Sequence, residues 1–256
     1  MVTGQRVVVV SGGGTGIGRQ IARSFALIGE RVVIIGRRAE VLERARDDID
    51  HDAGAPRVTC VAADLTDPRQ VTTAAERIGE LGQVDVLVNN AGAIITPSAD
   101  HSLEALAASW RRDLDTNLLT AVLLTTALTP CLARPGGRLI MISSAAGQRG
   151  GAGPHSAGSY AAAKAALHGW AFGLARELGP DGITVNVLAL GYIADTEIFQ
   201  GRQPPGFEAG KIADTLVGRG GTPDDVAAAV AYIASPSAGY LTGQVIGLNG
   251  GAVLGR

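Results

Sequence analysis

Val7-Val8-Val9-Val10-Ser11-Gly12-Gly13-Gly14-Thr15-Gly16-Ile17-Gly18 sets a run of β-branched residues directly before a run of glycines, and that order decides the fold. Consecutive valines alternate between the two faces of a strand, so both faces must be buried, as in a sheet covered by helices on each side. The glycines close the strand and open a helix, in which Ile21, Phe25 and Ile28 recur at helical spacing until Gly29 stops it. The rhythm repeats. After the first strand at 6–11, strands are expected at 31–35, 57–63, 84–89, 138–143, 184–190 and 244–248. Helices are expected at 39–50, after Pro68, at 102–132 as one long element, at 159–178 and at 223–234. Asp67-Pro68 has the cap and first-turn proline of a helix start. Strands alternating with helices in an unbroken series give an α/β, doubly wound parallel sheet (Rossmann-like) with helices on both faces.

No composition shift divides the 256 residues, which read as a single domain, 1–256. Two stretches interrupt the series: a Gly-rich loop at 148–158, and a segment at 192–221 containing Pro204-Pro205-Gly206, expected to be a mobile substrate lid. With 46% hydrophobic but only 4% aromatic residues, the core must be built from Val, Ile, Leu and Ala. A net charge of −2 without a basic run excludes nucleic acid as a partner. No apolar stretch reaches the ~18 residues of a membrane helix, and the start runs directly into a strand; the expectation is a cytoplasmic protein with no membrane partner. Cys60 and Cys131 stand far apart without ligand-spaced neighbours and read as buried small hydrophobes. His51, His101, His155 and His168 show no ligand spacing, so no metal site is expected and none of them is assigned a catalytic role.

The glycines after the first strand let backbone approach a pyrophosphate at a helix N-terminus, where unpaired N–H groups and the helix dipole favour an anion. Farther on, Tyr160 and Lys164 lie four residues apart on an expected helix, so both side chains share one face. A free tyrosine titrates near ~10, and a neighbouring ammonium favours its phenolate. The pair therefore suits proton exchange with a substrate oxygen. Ser143 and Ser144 close a strand on opposite faces, and one of them can hydrogen-bond that oxygen.

Taken together, Gly12-x3-Gly16-x-Gly18, Asn89-Asn90-Ala91-Gly92, Asn117, Ser143-Ser144-Ala-Ala-Gly147, Tyr160-Ala-Ala-Ala-Lys164 and Tyr240 through Gly251 resemble, in order, the motifs of the classical short-chain dehydrogenase/reductase family. The resemblance covers essentially the whole chain. It implies an NAD(P)-dependent oxidoreductase that interconverts a ketone, or a 3-oxoacyl group, and a secondary alcohol. It implies Asn117, Ser144, Tyr160 and Lys164 as the catalytic set, with Asn117 holding a water toward the lysine. Gly12, Gly14, Thr15, Gly16, Ile17, Gly18, Asp64, Leu65, Asn90, Ala91, Gly92, Gly191, Ile193 and Thr196 would contact the coenzyme, and a homotetramer or homodimer would be the assembly.

Three departures stand out. The interval from Ser144 to Tyr160 is longer than the family's, Leu190-Gly191 replaces a Pro-Gly, and Asp195 precedes Thr196 where a threonine is expected. At the tip of the second strand, Gly36-Arg37-Arg38 lacks the carboxylate that would hold NAD ribose hydroxyls; Arg37 and Arg38 instead suit a 2′-phosphate, so NADP(H) is expected, with NAD(H) the alternative. The rival readings are a non-catalytic dinucleotide sensor and another enzyme class on the same scaffold. Among the latter, enoyl reductases space Tyr and Lys more widely, which would require a tyrosine where Ala157 stands.

Overall fold

The computed structural model of the chain describes residues 5–95, 100, 102–151, 158–196, 198 and 205–255. His101, His155, Ala157, Phe199 and Pro204 lie outside them. The order is β1 (Val7–Ser11), α1 (Gly16–Leu27), β2 (Arg31–Gly36), α2 (Ala39–Ala53), β3 (Val58–Ala62), α3 (Pro68–Gly79), β4 (Val86–Asn89) and α4 (Leu103–Leu114). It continues with α5 (Thr120–Leu128), β5 (Arg138–Ser144), α6 (Ala145–Arg149), α7 (Ser159–Leu178), β6 (Thr184–Leu190), α8 (Phe207–Ala213), α9 (Pro223–Ile233) and β7 (Gln244–Leu248). The strands form one parallel sheet in the order β3-β2-β1-β4-β5-β6-β7.

The valine run explains the layering. Val7 and Val9 pack with residues of α3, α5 and α7 on one face, while Val8 and Val10 pack with residues of α1, α2 and α9 on the other. All four are buried, so β1 is the shared wall of two cores; each such side chain contributes on the order of 1.5–3 kcal/mol. Strand order reverses between β1 and β4, and the C-terminal ends of the strands there leave the crevice in which doubly wound sheets bind ligands.

Several boundaries differ from expectation. The single helix expected at 102–132 is broken: after α4, capped by the Ser102 hydroxyl, residues Asp115–Leu119 form a π-helical turn, α5 follows, and Thr129–Cys131 is a 3-10 turn. The wide turn falls at Asn117, whose amide is tied to backbone across the crevice, and Pro130 cannot donate to the preceding turn. Val84 makes only an isolated bridge to Leu132 rather than opening β4. Of the loop expected at 148–158, the first residues belong to α6, and 152–157 lie outside the described residues. Cys60 and Cys131 are free and half-buried rather than buried.

Candidate active site

The glycine turn is held from below. Ser11, the last residue of β1, places its hydroxyl 3.0 Å from the Asn90 N–H and 2.9 Å from the Ala91 N–H, both of which donate to it. The Asn90 amide donates in turn to the carbonyls of Ser11 (3.0 Å) and Gly12 (3.4 Å). Gly12 and Gly16 adopt positive φ (66° and 49°), a region that favours glycine. A Cβ on Gly18 would lie 2.2 Å from the Gly12 carbonyl oxygen, so this glycine allows α1 to close on the turn. Gly16 and Gly18 are not among the residues that line the two cavities described next.

A cavity of about 220 Å³ opens above the turn, lined by Gly12, Gly14 and Thr15, by Arg37 and Arg38 after β2, by Asp64 and Leu65 after β3, and by Ala91 and Gly92 after β4. Arg37 is exposed and makes no hydrogen bond or ion pair among the described residues. The Asp64 carboxylate accepts from the Thr66 N–H (2.9 Å) and hydroxyl (2.7 Å), which hold it below the usual carboxylate range, helped by the charge of Arg37. Asp67 caps α3. Thr15 makes no side-chain cap on α1 and the first turn carries no acidic residue, so its N-terminus can receive an anion.

A second cavity, of about 320 Å³, reaches from Ile17, Asn90 and Gly92 to Ser144, Tyr160 and Lys164. Gly191, Ile193 and Thr196 after β6 line it, as do Tyr192 and Phe207, whose rings meet edge to face at 6.1 Å. The Lys164 ammonium is buried, donates to the Ile142 carbonyl (3.1 Å) and lies 5.8 Å from the Tyr160 ring centroid. Burial pulls Lys164 down to about 8. Burial also pushes the Tyr160 phenol up to about 12, the negative charge of Asp113 adds to that, and a hydrogen bond with Ser144 works against it.

Strand alternation separates the two serines. Ser144 faces Tyr160 and accepts the Ala146 N–H (3.1 Å), whereas Ser143 turns to the Lys164 carbonyl (3.0 Å) and His168 Nε2 (2.8 Å). Asn117 is buried on the π-helical turn. Its oxygen accepts the Ala93 N–H (3.0 Å) and its nitrogen donates to the Ala93 carbonyl (2.9 Å), so the amide is committed to backbone rather than open to the cavity. At the expected threonine position Asp195 takes a left-handed conformation (φ 56°), and the Thr196 hydroxyl donates to the Ile193 carbonyl (3.1 Å). Gly191 lies where a Cβ would come 2.7 Å from the Asn249 Cα.

Residues 12–253 match the family described as enoyl-(acyl carrier protein) reductase. Over 243 residues the chain is 35% identical to galactitol 2-dehydrogenase (L-tagatose-forming) of Cereibacter sphaeroides, covering 94% of this chain and 92% of that protein. Over 249 residues it is 34% identical to the 3-oxoacyl-(acyl carrier protein) reductase FabG of Escherichia coli, covering 96% of each. The chain belongs to the classical short-chain dehydrogenase/reductase family. Among solved structures, a short-chain dehydrogenase from Burkholderia cenocepacia in complex with NADP superposes with a TM-score of 0.83 at 34% identity, covering 97% of each chain.

As a short-chain dehydrogenase/reductase the protein is an NAD(P)-dependent oxidoreductase acting on a small molecule, and the geometry fits the coenzyme. The uncapped α1 N-terminus and the glycine turn stand beside two cavities that share Gly92 as a lining residue, one lined by Arg37 and the other by Tyr160. Two residues of this site escaped the sequence reading. In the sequence Ser11 marks only the end of a strand, although its place between the valines and the glycines puts it directly under the turn. Asp113 is a buried carboxylate one helical turn before Asn117, a spacing that sets both on one face.

Proposed function

We propose that the chain interconverts a ketone, or a 3-oxoacyl group, and a secondary alcohol, preferring NADP(H), with Tyr160 as the acid/base. The observation that carries this reading is that Tyr160, Ser144 and Lys164 line one cavity, which also reaches Ile17 at the start of α1 and Gly92. The coenzyme, when bound, supplies or takes up the hydride. In reduction, Ser144 hydrogen-bonds the substrate carbonyl oxygen and the Tyr160 hydroxyl gives that oxygen its proton. Lys164 stabilises the phenolate left behind, and the reverse direction begins from that phenolate. Asn117 anchors Ala93 and so fixes the backbone beside Gly92. Gly12, Gly14, Thr15, Ile17, Asp64, Leu65, Ala91, Gly191, Ile193 and Thr196 line the coenzyme path, and Arg37 and Arg38 meet the 2′-phosphate.

The name of the matched family raises reduction of a carbon–carbon double bond as a second reading. The one-turn spacing of Tyr160 and Lys164, with Ser144 lining the same cavity, favours the carbonyl. Ile142, Tyr192 and Phe207 in the cavity suit a substrate with an apolar body. The test is a coenzyme-coupled screen over ketones, ketoses, 3-oxoacyl thioesters and enoyl thioesters, repeated with Tyr160→Phe. Carbonyl turnover that falls at least ~100-fold in the variant is expected. Turnover of enoyl thioesters alone, or a variant as fast as wild type, overturns the reading, and no turnover with either coenzyme favours a sensor.

A further inference from the structure

Asp113, in the last turn of α4, is only 3% exposed, and none of the ion pairs among the described residues includes it. A buried carboxylate without a cation is costly, and an apolar residue would fill the interface between α4 and α7 at no such cost. What holds Asp113 is a pair of donors. The Ser159 hydroxyl donates to one oxygen (2.5 Å) and the Asn117 amide to the other (3.4 Å). Ser159 directly precedes Tyr160 at the start of α7, and Asn117 fixes the backbone beside Gly92. One carboxylate thus ties together the segments that carry the acid/base and border the coenzyme path.

We propose that Asp113 is a positioning residue for the reaction: by anchoring Ser159 and Asn117 it sets the start of α7, and with it Tyr160, against the backbone beside Gly92, and it places its charge on the acid/base side of that junction. The inference rests on the assignment of Tyr160 as acid/base. The charges facing Tyr160 are of opposite sense. Lys164 on α7 stands 5.8 Å from the ring, where an ammonium favours the phenolate, and Asp113 on α4 opposes it. His168, farther along α7, is held below its ordinary value by burial and by Lys164, so it adds no charge near neutral pH. Arg149 on α6 and Asp214 after α8 line the far wall and pair with each other at 3.7 Å, while Lys211 on α8 lies over the Phe207 ring. Burial already holds the phenol in its proton-donating form and Asp113 adds to that hold, so alcohol oxidation needs a higher pH than burial alone would require.

Asp113→Asn keeps the size of the side chain and removes its charge; its one oxygen can still accept from Asn117, while the bond with Ser159 survives only with the new amide donating to the hydroxyl. Tyrosinate absorbance after a rapid alkaline pH jump, read before unfolding and assigned by difference from Tyr160→Phe in each background, follows the phenol without substrate or coenzyme. The expected result is a Tyr160 midpoint about one pH unit lower in Asp113→Asn than in wild type, a tenfold change in ionisation constant. The pH profile of kcat/KM for oxidation should move the same way, and Asp113→Glu should restore both. An unchanged midpoint overturns the proposal. Ser159→Ala removes the anchor but leaves the charge, so its midpoint should not fall; a fall equal to that of Asp113→Asn means the effect is structural and also overturns it. If Asp113→Asn does not fold, Asp113→Leu, which also removes the charge at similar size, takes its place, and an unchanged midpoint there overturns the proposal. Because the absorbance reads the phenol itself, it answers for Asp113 even where Tyr160→Phe shows another residue to be the acid.

Discussion

A methyl group on Gly92 would lie 2.7 Å from the Asn117 oxygen and 3.2 Å from the Lys164 ammonium, at the junction of the two cavities. Gly92→Ala should therefore force the tied Asn117 amide or the backbone to shift, lowering the melting temperature by a few degrees, as overpacking by about 1–3 kcal/mol does, and kcat/KM by about 10- to 100-fold, the scale of a small misplacement of reacting groups. Steady-state kinetics beside a thermal melt checks both halves. Arg37 offers a second test, because its exposed guanidinium can meet a 2′-phosphate with charge-assisted bonds that an alanine cannot make. The ratio of kcat/KM with NADPH to that with NADH should exceed one in wild type and fall about tenfold in Arg37→Ala; a wild type preferring NADH would refute the assignment. At this scale the sequence was legible wherever a residue acts through local geometry. The alternation of a strand separates Ser144 from Ser143, and helical spacing pairs Tyr160 with Lys164. Ser11 and Asp113 were not legible, since each is defined by partners tens of residues away, Asn90 for one and Ser159 for the other.

The elements were legible where periodicity is strong and obscure where a tertiary contact overrides it. All seven strands fall where the apolar runs predict them; burial on both faces demands such runs in the five inner strands, while the edge strands β3 and β7 are only partly covered. The helix over 102–132 reads as continuous because its composition is helical throughout, and only the bonds from Asn117 to Ala93 reveal the widened turn. The segment after β6 carries a prediction of its own. The bridge from Ile193 to Gly221 and the bonds from Leu216 and Val217 to the Gly250 carbonyl pin it at its ends, while α8 lies between them with no fully buried residue. Amides of α8 should exchange fast in the free protein and slow by at least about tenfold when coenzyme and substrate are both present, as for a lid. Hydrogen exchange with mass spectrometry reads this directly, and equal rates in both states would make α8 a fixed wall.

For the molecule as a whole, the exposed residues Leu103, Leu106 and Trp110 form a stripe along α4, with Phe172 exposed on α7, to which α4 packs. No helix among the described residues is long and apolar enough to cross a membrane. An apolar stripe of this kind suits a second copy of the chain. Light scattering should accordingly give the mass of a dimer or tetramer, and Leu106→Glu with Trp110→Glu should reduce it; a monomeric wild type would refute the expectation. The central place of β1 bears on how the molecule is made. Its edge toward β2 is satisfied early, but the opposite edge waits for β4, which ends at Asn89. At a synthesis rate of about 5–20 residues per second, the unpaired backbone of the valine strand stays open for several seconds on the ribosome. During that interval the nascent chain carries an aggregation-prone edge that the finished protein does not have, so its yield in the cell depends on translation speed and holding chaperones.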